Sequence, residues 1–200
     1  MLYNQPSEVI GCHSCEKSKG INVLNGKIDL KPSENSWDWL GNGIYFWEQN
    51  PDRALQYAQD SSQGKQFNRI KIKTPFVLGA IIETGNCLNL MEPESFQILS
   101  QAYNDLQKIY NQLDKKMPVN KGDKRELDCA IFKLIHQSNV DNKRKQYDSI
   151  RSAFSEGLEV YPTANFTSKG HIQICVINSD CIKGYFLPKP IKKYNPYLDI

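Results

Sequence analysis

Apolar residues recur along the chain with two periods, and the order in which those periods alternate sets out the expected elements. Residues 8–13 read as a short strand, and residues 17–25, with Ile21, Val23 and Leu24, as a short helix closed by Asn25-Gly26. Residues 31–36 are loop. The apolar and aromatic run Gly43-Ile44-Tyr45-Phe46-Trp47 predicts a buried strand. Asn50 and Pro51 then open a helix, Asn as the cap and Pro at the first helical position, with Ala54, Leu55 and Ala58 spaced for one face.

Residues 76–83 predict a second strong strand, followed by a Thr84-Gly85-Asn86 turn and a short strand around 88–90. Helical spacing runs through 94–113: Phe96, Leu99, Ala102, Tyr103, Leu106, Ile109, Tyr110 and Leu113. A polar loop rich in Lys and Gly leads to a helix with Leu127, Ala130, Ile131, Leu134 and Ile135, and a further short helix is expected at 147–154. Residues 157–166 are irregular, 171–177 and 182–186 are strands, and a Pro-rich tail closes the chain. Strands at both ends with helices gathered in the middle predict an α+β fold, one domain spanning 1–200, rather than a doubly wound sheet. No Gly-rich phosphate loop of the Rossmann or Walker kind is present in the sequence.

Composition narrows this little. A chain of 200 residues with 40% apolar content buries a sizeable core without staples. Its formal charge of +3 is too small to argue for nucleic acid. The basic residues do cluster: Lys115, Lys116, Lys121, Lys124 and Arg125; then Lys143, Arg144 and Lys145; then Lys183, Lys189, Lys192 and Lys193. Solvated loops explain such runs unless they gather in space. No apolar run approaches the ~20 residues that cross a bilayer, and MLYNQPSEVIG lacks the pattern of a signal peptide. A cytoplasmic protein with reduced thiols at its six cysteines is expected, with no membrane partner. Cys12-His13-Ser14-Cys15 has no second ligand pair at finger-like spacing, so no metal is expected.

Function enters through a motif. The segment Trp39-Leu40-Gly41-Asn42-Gly43-Ile44-Tyr45-Phe46-Trp47, followed by the helix from Asn50 to Ala58, resembles a signature of the ADP-ribosyltransferase superfamily. The likeness is to its poly(ADP-ribose) polymerase and diphtheria-toxin group. There a Gly-x-Gly-Ile-Tyr-Phe strand precedes a helix packed behind the nicotinamide pocket. Gly11-Cys12-His13-Ser14 falls where that group has a first strand with a His-Gly pair. The likeness covers about the first sixty residues well and the last ~45 in pattern, while the middle is unmatched.

The resemblance implies a split antiparallel β-sheet core with a helical insertion over roughly 92–150. It implies a PARP-like mono-ADP-ribosyltransferase, a glycosyltransferase that takes NAD as substrate, uses no metal and passes ADP-ribose to a macromolecular acceptor, protein or nucleic acid. A bacterial toxin or phage-defence effector, with an antitoxin or regulator as partner, would fit. The alternatives are an NAD glycohydrolase and an inactive module that binds NAD or ADP-ribose. The chemistry suits such residues, because nicotinamide–ribose cleavage builds oxocarbenium character and needs positioning and electrostatics more than covalent help. His13, Ser14, Gly43, Tyr45 and Trp47 are the implied NAD-binding residues, with Gly41 and Gly43 allowing close backbone approach.

The family's late-strand glutamate is missing. Register puts His171 in its place, with Gln173 on the same face. Glu156, then Glu159, is the substitute carboxylate, so the implied catalytic set is Tyr45, Glu156, His171 and Gln173. Arg151 is a candidate for a phosphate, Trp37 and Trp39 are candidate lining residues, and His136 is expected to be structural.

Overall fold

The computed structural model describes residues 7–65 and 72–198. In chain order the strands and helices are β1 (Glu8–Glu16), α1 (Lys17–Leu24), β2 (Ile44–Glu48), α2 (Pro51–Ser62), β3 (Pro75–Glu83) and β4 (Cys87–Asn89). Then come α3 (Pro93–Gln112), β5 (Asn120–Lys121), β6 (Lys124–Arg125), α4 (Glu126–Asp141), β7 (Ser149–Phe154), β8 (His171–Val176), β9 (Ile182–Phe186) and α5 (Ile191–Tyr194). Local chemistry sets several boundaries. Asn50 Oδ1 accepts from the Arg53 N–H at 2.9 Å and Pro51 occupies the first turn, so α2 starts where its cap dictates.

Seven strands form one mixed sheet in the order β4-β7-β8-β2-β1-β3-β9. Neighbours run antiparallel except β4 and β7, which are parallel. That exception has a cause: the chain leaves β4 into α3 and returns through α4 to β7, and parallel neighbours need such a crossover. The α+β expectation is met at this level. The sheet is not antiparallel throughout, and it is one hydrogen-bonded sheet. Its ladder between β1 and β2, however, is limited to Gly11↔Glu48 and Cys12↔Trp47, with Gln49 N donating to Ile10 O just beyond, whereas β1 pairs with β3 from Glu8↔Glu83 to Glu16↔Pro75.

Two layers cover the sheet. One face packs Phe46, Leu78, Ile82 and Ile174 against Val23 of α1 and Leu30. Opposite it, Leu88, Ile150 and Cys175 meet Ala102, Leu106, Phe132 and Ile135 of α3 and α4. Cys12, Trp47 and Val77 meet Ala54 of α2 and Tyr194 of α5.

Three expectations change. Residues 147–154 are not a helix: Ser149–Phe154 is strand β7, held between β4 and β8. Its polar residues mask the strand pattern because they are buried and paired, Ser149 Oγ donating to Thr84 O at 2.6 Å and Arg151 pairing with Glu48. The polar Lys/Gly stretch holds the β5–β6 hairpin, turned by Gly122 at φ 54°. The Pro-rich tail contains α5, and the Asn195 side chain behind it accepts from Val77 N at 2.8 Å and donates to Val77 O at 3.0 Å.

Candidate active site

Where the β1–β2 ladder stops, the two strands part. The His13 imidazole spans the opening, with Nδ1 2.8 Å from Tyr45 O. Register places Tyr45 and Trp47 on the face of Cys12 and Ser14, and His13 on the opposite face with Gly11 and Cys15. Side chains from both faces therefore reach the same place only because the ladder is interrupted. A cavity of about 830 Å³ fills the opening, and His13, Ser14, Gly43, Tyr45, Trp47, Glu156 and Gln173 all line it. That volume lies within the range of small-molecule sites.

His13 is held neutral. Burial pushes its pKa down to about 4, against the pull of the Tyr45 carbonyl and with a small push from Lys19. Nδ1 faces a carbonyl and so carries the proton, which leaves Nε2 an acceptor. Tyr45 presents its ring and not its hydroxyl. That hydroxyl donates to Gly41 O at 2.6 Å and accepts from Leu40 N at 2.9 Å, and burial holds its pKa well above the usual phenol value. Two glycines make this possible. Gly41 sits at φ 76°, and a Cβ on Gly43 would lie 2.4 Å from Cys175 Sγ and 2.8 Å from Val176 O. The Ser14 hydroxyl donates to Ala54 O and ties β1 to α2.

The far wall comes from β8, α2 and the segment after β7. Gln173 pairs in register with Trp47 on one side and Ser152 on the other, so its amide faces the cavity beside the indole. Glu156 forms an ion pair with Arg53 of α2, and its Oε2 lies 3.9 Å from His171 Nδ1. Arg53 lies 5.8 Å over the Trp47 ring, and Trp47 packs against Tyr57 with the rings tilted by 49° and their centres 5.0 Å apart. Arg53, Tyr57 and Asp60 line the cavity from one face of α2, and Lys19, Lys31 and Lys169 add cations to its wall. Sequence reasoning missed all six. Arg53 stands beside Ala54 in a helix read by its apolar face, and nothing local marks its side chain as buried.

Other candidates fall elsewhere. His171 shares the face of Gln173, but its side chain is fully buried between Phe154 and Trp47, behind Glu156. Nδ1 donates to Lys169 O at 2.7 Å, and burial lowers the pKa. Arg151 does not line the cavity: it grips Glu48 with two bonds of 2.5 and 2.8 Å, with Arg151 buried and the Glu48 side chain 9% exposed. Glu159 accepts from Thr163 N at 3.0 Å within its own loop. Trp37 and Trp39 do line the cavity, with Trp39 Nε1 donating to Asp123 O at 2.9 Å and Arg125 over its ring. His136 packs on Tyr147, away from the opening.

Cys12 and Cys15 point to opposite faces of β1, and burial pushes their thiols up to about 11 and about 12. No group of three or more His, Cys, Asp or Glu suited to a metal occurs among the described residues. Of the basic runs, Arg125 reaches the cavity wall, while 143–145 are exposed.

Among the described residues no helix is long and apolar enough to cross a membrane. The chain matches no known family profile, and no solved structure matches it. It is similar to an uncharacterised protein of Methanocaldococcus jannaschii, 23% identical over 211 residues, a match covering 94% of this chain and 92% of that protein. The similarity brings no activity with it.

Proposed function

We propose that the chain is a mono-ADP-ribosyltransferase that takes NAD⁺ in the β1–β2 opening and passes ADP-ribose to a macromolecular acceptor. The observation that carries this reading is convergence: His13, the Tyr45 and Trp47 rings of β2, Glu156 and Gln173 come from four separate stretches of chain and line one cavity. In this reading the Tyr45 and Trp47 rings hold the nicotinamide, and His13 Nε2 accepts from a ribose hydroxyl. Lys19 and Lys31 offset the diphosphate charge, while Gln173 and Glu156 stand at the scissile ribose. The ribose C1′–nitrogen bond breaks, its electron pair leaving with nicotinamide, and an acceptor nucleophile bonds to C1′ and loses its proton. Fixed dipoles and a carboxylate favour the cationic ribose, as in glycoside cleavage.

The test is incubation of the purified protein with NAD⁺ labelled in the ADP-ribose part and a cell lysate. Label on macromolecules supports transfer, and nuclease or protease digestion then sorts nucleic acid from protein. Free ADP-ribose as the main product would replace transfer by hydrolysis. Saturable NAD⁺ binding without nicotinamide release would leave a binding module.

A further inference from the structure

We propose that Arg53 is a positioning residue, which holds the Glu156 carboxylate at the cavity wall and, with Asp60, clamps the 155–170 segment onto α2. The proposal rests on the transferase reading for its consequence in turnover, and on geometry for the clamp itself.

Arg53 and Asp60 are seven positions apart in α2, two helical turns, and so share a face. Both engage the same segment: Arg53 pairs with Glu156 at its start, and Asp60 with Lys169 at its end, at 3.1 Å. Both pairs line the cavity. The Phe154↔His171 pair closes its base and His171 Nδ1 holds Lys169 O at 2.7 Å, but among the described residues little else ties the segment to α2. Its large apolar side chains point to solvent, Leu158 at 82% and Phe166 at 69% exposure. Its hydrogen bonds are largely internal, such as Ser168 N to Leu158 O at 2.8 Å and Lys169 N to Glu156 O at 2.9 Å. Internal bonds shape the segment without fixing its place on the molecule. The two ion pairs fix its position against α2.

Arg53 is the stronger of the anchors. Its side chain is 9% exposed, its backbone is fixed by the Asn50 cap, and its guanidinium lies over Trp47. Among the described residues Nε and Nη1 are buried without a hydrogen-bond partner, and Glu156 is the counter-charge that the guanidinium meets. A buried ion pair contributes little net stability over a well-packed apolar pair. Its presence at a cavity wall is therefore better explained by the orientation it imposes on the carboxylate.

The experiment measures amide exchange across 155–170 together with NAD⁺ turnover, for wild type, Arg53→Met, Arg53→Lys and Asp60→Asn. Arg53→Met should speed exchange in the segment about tenfold or more and lower kcat at least ~10-fold with KM changed less than ~3-fold. Arg53→Lys should recover protection and part of kcat, and Asp60→Asn should loosen the Lys169 end. Should Arg53→Met fail to fold, Arg53→Met with Glu156→Met removes both charges and carries the same exchange test. Unchanged exchange overturns the clamp. Faster exchange with unchanged kcat and KM overturns its role in the reaction. A wild type that never cleaves NAD⁺ overturns the transferase reading instead, and exchange alone then decides the clamp.

Discussion

Tyr45 shows how much a single side chain's partners limit its chemistry. Its hydroxyl bonds to Gly41 O and Leu40 N and cannot also serve as a proton donor to a ligand without breaking the turn it holds. Tyr45→Phe should destabilise the protein by about 1–3 kcal/mol, since Leu40 N loses its acceptor. On the proposed transferase reading the ring remains, so KM for NAD⁺ should stay within ~3-fold, whereas Tyr45→Ala removes the wall and should raise it ~10-fold or more. Denaturant titration and steady-state kinetics check both. A folded Tyr45→Phe protein without turnover would return the phenol to the chemistry. The motif singled out Tyr45 and His13 by type and spacing, and both line the cavity. It could not show that one hydroxyl is already committed, because both partners are backbone atoms of a turn whose shape depends on Gly41 and Gly43.

At the scale of elements, β7 carries the clearest lesson. Buried Ser149, Arg151 and Ser152 interrupt the alternation by which a strand is recognised, and their polarity is tolerated only because each is satisfied in the fold. Arg151 and Glu48 reach each other across β8 on the face of Phe46 and Ile174. Arg151→Ala should therefore cost about 3–5 kcal/mol, leaving Glu48 buried without its partner. The double variant Arg151→Met, Glu48→Met should recover most of that stability and leave KM for NAD⁺ unchanged. A raised KM in the folded double variant would bring Arg151 back to the substrate. The elements that were legible in the sequence carry local signals: the Asn50-Pro51 start of α2 and the long apolar stripe of α3. Tertiary burial hides β7, and two residues per strand are too few to signal the β5–β6 hairpin.

For the whole molecule, the buried histidines couple folding to pH. Burial lowers the His13 pKa from 6.5 to about 4, and lowers those of His136 and His171 in the same direction. A folded pKa below the unfolded one means the unfolded chain binds more protons in that window. His13 thus contributes fully above pH 6.5, and its contribution is lost as pH falls towards about 4, by up to roughly 3 kcal/mol. Urea midpoints should fall between pH 6.5 and 4.5, with a shallower slope in His13→Asn; parallel slopes would remove His13 from the effect. The same burial that sets this dependence follows from the sheet order, which no local pattern encodes. By itself the sequence determined the α+β class, the Asn50-Pro51 start of α2 and the residue types of the two N-terminal motifs, since periodicity, capping and motif spacing act over a few residues. Tertiary structure alone decided that β1 parts from β2 beyond Cys12, and that Arg53 and Glu156, 103 positions apart, meet at the opening. Contacts at that separation depend on which strands become neighbours, and hydrophobic alternation says which face is buried without saying which strand lies beside it.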